Sequence, residues 1–184
     1  DVYRNDFITA DLDFMHATAT ESQIQDFALF QGDVLITKDS ESPNDIAVPA
    51  FVRQTLPNII CGYHLAHLRP IGIEGSYLFR AFQVDRISAQ FRVAANGITR
   101  FGISKSAIGD AFFPVPPLAE QTRIAAFLDE KTAEIDDAIA KKQRLIELLQ
   151  EQKAILINRA VTRGIDPGAR LRESGVAWIG EIPA

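Results

Sequence analysis

Only one cysteine, Cys61, occurs in 184 residues, together with three histidines, one methionine and one tryptophan. A single thiol excludes a disulfide framework and suits a reducing cytoplasm. No apolar run approaches the roughly 20 residues needed to cross a bilayer, and no signal-peptide pattern opens the chain. A soluble, cytoplasmic protein with no membrane partner is expected. Motifs that carry chemistry are just as scarce: there is no Gly-rich phosphate loop, no Gly-x-Ser-x-Gly elbow and no His-Glu-x-x-His. Cys61, His64 and His67 have ligand-like spacing. Their segment reads as a strand, however, which sends His64 and His67 to opposite faces, and no second cluster offers a fourth ligand. His16 stands alone. No metal, cofactor or catalytic residue is assigned, and the chain reads as a non-enzyme.

Proline and glycine are absent from Leu118 to Thr162, where Ala, Leu, Ile, Glu, Lys and Gln dominate. These residues favour or tolerate a helix. Pro117 suits a first helical position, where its missing N–H costs nothing, and Gly164-Ile165-Asp166-Pro167-Gly168 cannot continue the helix. Some 45 residues at 1.5 Å each would span roughly 65–70 Å, far more than a small domain needs. Counting in sevens gives Leu128, Ile135, Lys142, Leu149 and Leu156, with a companion series Thr132, Ile139, Ile146, Lys153 and Ala160. This is a coiled-coil seam with polar interruptions. Leu128, Ile135, Ile139, Ile146, Leu149 and Leu156 are the expected helix–helix interface, and Leu145, Leu148 and Ile155 widen it. A helix lying on its own domain is the competing reading, placed second by its length.

The net charge of −5 hides a strong division. Residues 1–45 hold ten acidic and two basic residues, residues 46–109 two acidic and seven basic, and residues 110–184 twelve acidic and ten basic. A basic block in an acidic chain fits a local phosphate-binding footprint and equally an ordinary solvated sheet surface.

Residues 1–110 read as mixed α+β with strands dominant. Gly32-Asp33 is a turn before a strand at Val34–Thr37, and Ile46–Val52 and Asn58–Leu68 are further strand candidates. Ser76–Phe82 reads as a helix continuing through Val84, Ile87 and Phe91. Phe112–Pro116 is a last extended segment, because residues before proline favour the β region. The expected division is a strand-rich domain at 1–115, a spacer and dimerisation helix at 116–164, and a tail at 165–184 whose Val176–Ile179 cluster needs a surface. The first residues already read as domain interior, so the domain's opening part is expected to be missing, the chain being a fragment or a truncated product.

The best site candidate is Arg92 to Lys105. Asn96-Gly97 is a strong turn former that places Thr99 and Arg100 beside a tight, exposed backbone, with Arg92 and Lys105 flanking. Hydroxyl, amide and guanidinium groups on such a loop suit phosphates and base edges, and a surface hairpin with incidental charges weighs equally. Lys38, in Lys38-Asp39-Ser40 at a strand end, is a further candidate.

Phe112-Phe113-Pro-Val-Pro-Pro-Leu-Ala-Glu-Gln121, Ile124-Ala-Ala-Phe-Leu-Asp129, Ile135-Asp136 and Ala160-Val161-Thr162-Arg163-Gly164 together resemble the conserved region of the specificity subunit of type I restriction-modification systems. Gly32-Asp33-Val34-Leu35-Ile36 and Asn96-Gly97-Ile98-Thr99-Arg100 look like two landmarks of that family's target recognition domain. The tail Glu173 to Pro183, with Trp178, resembles the segment that introduces such a domain. The resemblance implies a bipartite DNA reader in which paired antiparallel helices hold two recognition domains apart and dock DNA methyltransferase subunits, with the restriction subunit joining for cleavage. It implies double-stranded DNA and these subunits as partners, and a lone long helix implies a homodimer. DNA contact is expected at Lys38, Arg92, Asn96, Thr99, Arg100 and Lys105. The alternative is a coiled-coil assembly scaffold that holds enzyme subunits and binds no DNA itself.

Overall fold

The computed structural model describes residues 2–184 and divides into two compact units, Asp1–Asp129 and Glu130–Ala184. In the first unit the chain runs through β1 (Phe7–Ile8), α1 (Glu21–Phe27), β2 (Ala28–Leu29), β3 (Val34–Thr37), β4 (Asp39–Ser40) and a 3-10 turn at Pro43–Asp45. It continues through β5 (Pro49–Val52), β6 (Leu56–Ile60), β7 (Leu65–Leu68), α2 (Gly75–Phe82), α3 (Asp85–Ala94), β8 (Phe101–Gly102) and α4 (Lys105–Gly109). Helix α5 spans Leu118–Arg163, and β9 (Leu171–Glu173) and β10 (Glu181–Pro183) form the tail. The fold is α+β with one long helix.

Strand β3 is the centre of the first unit. Its Val-Leu-Ile-Thr sequence is buried at all four positions, as a strand covered on both faces must be. It pairs antiparallel with β5 and β7 in a sheet of order β1-β5-β3-β7. Strand periodicity divides its side chains between two cores. Val34 and Ile36 join the aromatic residues of α2 and α3, while Leu35 meets Ile8, Leu29, Ala50, Val52 and Leu56. The turn before β3 touches the start of α2 so closely that a Cβ on Gly75 would lie 2.1 Å from the Gly32 carbonyl oxygen.

Four local expectations change. The helix expected to run from Ser76 through Phe91 is two helices, broken at Gln83-Val84. In one straight helix Phe82 and Phe91 would stand about 13 Å apart along the axis; the break brings their rings to 5.3 Å, stacked. Asn58–Leu68 holds two strands that turn at Gly62, whose carbonyl accepts from Leu65 N–H, and β6 pairs with β2 outside the main sheet. Ile46-Ala47 leaves the extended strand because Ala47 is left-handed, with φ of 61°. Thr37 Oγ1 fixes that corner, donating to the Asp45 carbonyl and accepting from Val48 N–H at 2.9 Å. Phe112–Pro116 has no regular structure, and its backbone is held by Gln90 and Tyr77.

The opening turns of α5 are tied to α2 by polar side chains. Gln121 is buried; its Oε1 accepts from Glu74 N–H and its Nε2 donates to the Pro116 carbonyl, each at 2.8 Å. Arg80, also buried, reaches Asp129 Oδ1 through Nε at 3.1 Å and Nη2 at 2.6 Å. Ala125, the only other buried residue of α5 among those described, lies between Gln121 and Asp129 in the sequence.

In the second unit the α5 side chains are open. Ile135, Ile139, Ile146, Leu149 and Leu156 are each 48–59% exposed, and ion pairs Lys131–Glu134, Lys141–Asp137 and Arg144–Glu147 run along the helix surface. Gly164, with φ of 76°, ends the helix with its N–H on the Ala160 carbonyl. β9 and β10 pair antiparallel, and Trp178 in their connection is exposed. Among the described residues no helix is long and apolar enough to cross a membrane.

Candidate nucleic-acid interface

The segment expected to turn at Asn96-Gly97 is a closed loop. Asn96 and Gly102 exchange backbone hydrogen bonds at 3.0 and 2.9 Å. Gly97 has φ of 147°, and a Cβ there would lie 1.9 Å from the Arg100 carbonyl oxygen, so the tight loop needs glycine. Strand β8 pairs antiparallel with β4, setting Gly102 opposite Asp39. Phe101 packs against the core while Ile98, Thr99 and Arg100 stay exposed. The loop is thus anchored at its ends and open at its tip.

Arg100 is held by a residue 61 positions away: Nε and Nη2 donate to Asp39 Oδ1, Nε at 3.1 Å. His64 Nδ1 lies 2.8 Å from Oδ1 and 3.0 Å from Oδ2 of the same carboxylate. An ionised carboxylate only accepts, which assigns the proton to Nδ1. The 3.1 Å approach of Arg100 Nη2 to Nδ1 is then two donors crowding one acceptor group. Burial pushes the Asp39 carboxyl up, but the hydrogen bonds and charges of Arg100 and His64 outweigh it and hold it below the ordinary value. The same contact raises the Arg100 pKa. A shallow groove of about 510 Å³ lies here, lined by Asp39, Tyr63, His64, Asn96, Arg100 and β8.

Of the expected contact residues, Asn96 and Arg100 line this groove, and Thr99 lies exposed on the same loop. Lys38 stands beside it, its Nζ 4.6 Å from the centroid of the groove-lining Tyr63 ring and its carbonyl bonded to Ile103 N–H. Arg92 and Lys105 do not line it. Arg92 is engaged along α3, with Nη1 on Ser88 and Nη2 on Asp85; Lys105 is exposed in the first turn of α4. Asp39, His64 and Tyr63 were not among the expected contacts. The one sequence signal was the position of Asp39 next to Lys38 at a strand end.

His67, spaced as a metal ligand, instead joins a carboxylate cluster with its Nε2 2.6 Å from Asp33 Oδ2. Arg69 donates to both Asp33 oxygens at 3.2 Å and to the Ala28 carbonyl at 3.0 Å. Its guanidinium also lies 4.7 Å from the Phe30 ring centroid. Cys61 is an inert thiol, pushed up to about 11 mainly by burial. No group of three or more possible metal ligands occurs among the described residues.

The fold is shared with known proteins. The HsdS subunit from Thermoanaerobacter tengcongensis matches with a TM-score of 0.56 at 22% identity, over 79% of this chain and 38% of that one. A chain from a structure of assembly and conformational transition in the type I R-M system matches with a TM-score of 0.56 at 23% identity, over 73% of this chain and 31% of the other. A Methanocaldococcus jannaschii protein described as the type I restriction enzyme MjaX specificity subunit is 26% identical over 166 residues, 89% of this chain and 37% of its own length. The chain therefore spans little more than a third of that relative. The family model of the type I restriction modification DNA specificity domain matches residues 2–150, and the chain belongs to that family.

Proposed function

We propose that the chain reads DNA sequence for a type I restriction-modification complex, contributing recognition and no catalysis of its own. The observation that carries this is the groove at Arg100: a glycine-dependent loop in a domain of this family presents a guanidinium, an amide and a hydroxyl on its open side. Those groups suit base edges and phosphates. Arg100 also belongs to the 46–109 block, where basic residues outnumber acidic ones seven to two. The modification and restriction subunits of such a complex are the proposed partners. The exposed seam of α5 supports pairing with a second helix, most simply that of another copy. Those same exposed residues also favour a second reading, a scaffold that assembles enzyme subunits without touching DNA.

A titration of labelled duplex DNA with the chain, repeated over a salt series, separates the two. Arg100→Ala is expected to weaken binding by about 1–3 kcal/mol if Arg100 reads a base, or to lower the salt slope by about one if it contacts phosphate. Absence of any DNA binding by the wild-type chain would leave the scaffold reading standing.

A further inference from the structure

We infer that Asp39 is a specificity-determining positioning residue: it holds Arg100 by one edge so that the opposite edge is aimed at a guanine. This rests on the DNA-reading function proposed above. Arginine carries five N–H donors in a rigid planar fork. Nε and one hydrogen of Nη2 are committed to Asp39 Oδ1. In the planar group the remaining hydrogen of Nη2 and one hydrogen of Nη1 lie side by side on the edge away from Asp39, with His64 Nδ1 3.1 Å from Nη2 beside them. Guanine presents two adjacent acceptors, O6 and N7, on its major-groove edge, whereas adenine and cytosine each set an amino donor there. A parallel pair of donors therefore fits guanine and meets donors on the other two.

Charge separates a base from a phosphate as the target. The Asp39 carboxylate offsets the guanidinium charge, which lowers the gain from an anionic phosphate but leaves the direction of the donors unchanged. The exposures agree with such a division: the Asp39 side chain is 16% exposed and that of Arg100 52%, a sheltered clamp under an open fork. The clamp is itself fixed. Asp39 lies on β4 opposite Gly102, its carbonyl accepts from Tyr3 Oη at 2.9 Å, and its carboxylate also binds His64. An arginine held in this way has less freedom to lose on binding.

The test is affinity selection from a randomised duplex pool with the wild-type chain, Asp39→Ala, Asp39→Asn and Arg100→Ala, each first checked for an unchanged thermal melt. Wild type is expected to enrich a motif with a fixed guanine. Asp39→Ala should keep the other positions and lose that guanine, a drop in discrimination of roughly 5- to 150-fold. Its freed arginine and missing carboxylate should tighten non-cognate binding and steepen the salt slope by about 0.9. Asp39→Asn keeps an acceptor and should retain most of the guanine preference. Arg100→Ala should lose the guanine without steepening the slope. A guanine preference that survives Asp39→Ala or Arg100→Ala overturns the inference while the DNA-reading function stands. Equal weakening on every sequence in Asp39→Ala also overturns it, since that outcome marks a merely structural carboxylate. A wild-type chain that enriches nothing overturns the function and this inference together.

Discussion

The Asp33 carboxylate accepts four hydrogen bonds, from Phe30 N–H, His67 Nε2 and two nitrogens of Arg69. Its side chain is only 3% exposed. Burial acts against the charged form, but Arg69, the Phe30 amide and His67 together prevail and depress its pKa. A depressed carboxyl adds stability that is complete above the unfolded value, about 3.9, and is lost as pH falls through the folded value. Asp33→Asn is accordingly expected to flatten the acid limb of a stability–pH profile. At pH 7 it should cost about 3 kcal/mol, the low end for breaking a buried ion pair from one side, because Arg69 is half exposed and can rehydrate. Urea unfolding at pH 7 and at steps down to about 3 measures both; an unchanged acid limb would count against this account of Asp33.

At the scale of elements, Gln121 explains why Pro-Pro-Leu-Ala-Glu-Gln opens α5. The glutamine joins the start of α5 to the start of α2, satisfying the Glu74 N–H and the Pro116 carbonyl. Gln121→Ala leaves both without that partner, and a loss of about 1–3 kcal/mol is expected, read as a lowered midpoint in denaturant; a change within error would make the contact dispensable. The helix itself was legible because its signals are local: a proline before its start, no breaker within, and Gly164 past its end. β3 was legible for the same reason, as a short β-branched run behind Gly32. The break at Gln83-Val84 was not, since it depends on Phe82 meeting Phe91. The site divides likewise. Asn96-Gly97 announces its turn in two adjacent residues, whereas the clamp on Arg100 comes from Asp39, across a β4–β8 pairing that no local pattern encodes.

For the whole molecule, the unpartnered surface of α5 sets the expected assembly. Ile135, Ile139, Ile146, Leu149 and Leu156 form an apolar row on a helix whose surface also carries ion pairs and further exposed residues such as Leu145, Leu148 and Ile155. Light scattering is expected to give twice the 20.3 kDa chain mass, and Leu149→Glu, which sets a carboxylate in the seam, should return it to one. A wild-type monomer at tens of micromolar would overturn self-pairing and leave the row for a different helix. Either way, a row of leucines and isoleucines left in water has a consequence for the cell. Uncovered copies are what chaperones and proteases capture. Where a different helix covers the row, the standing amount of this chain is governed less by its own synthesis than by the supply of that helix, and surplus copies would be cleared first.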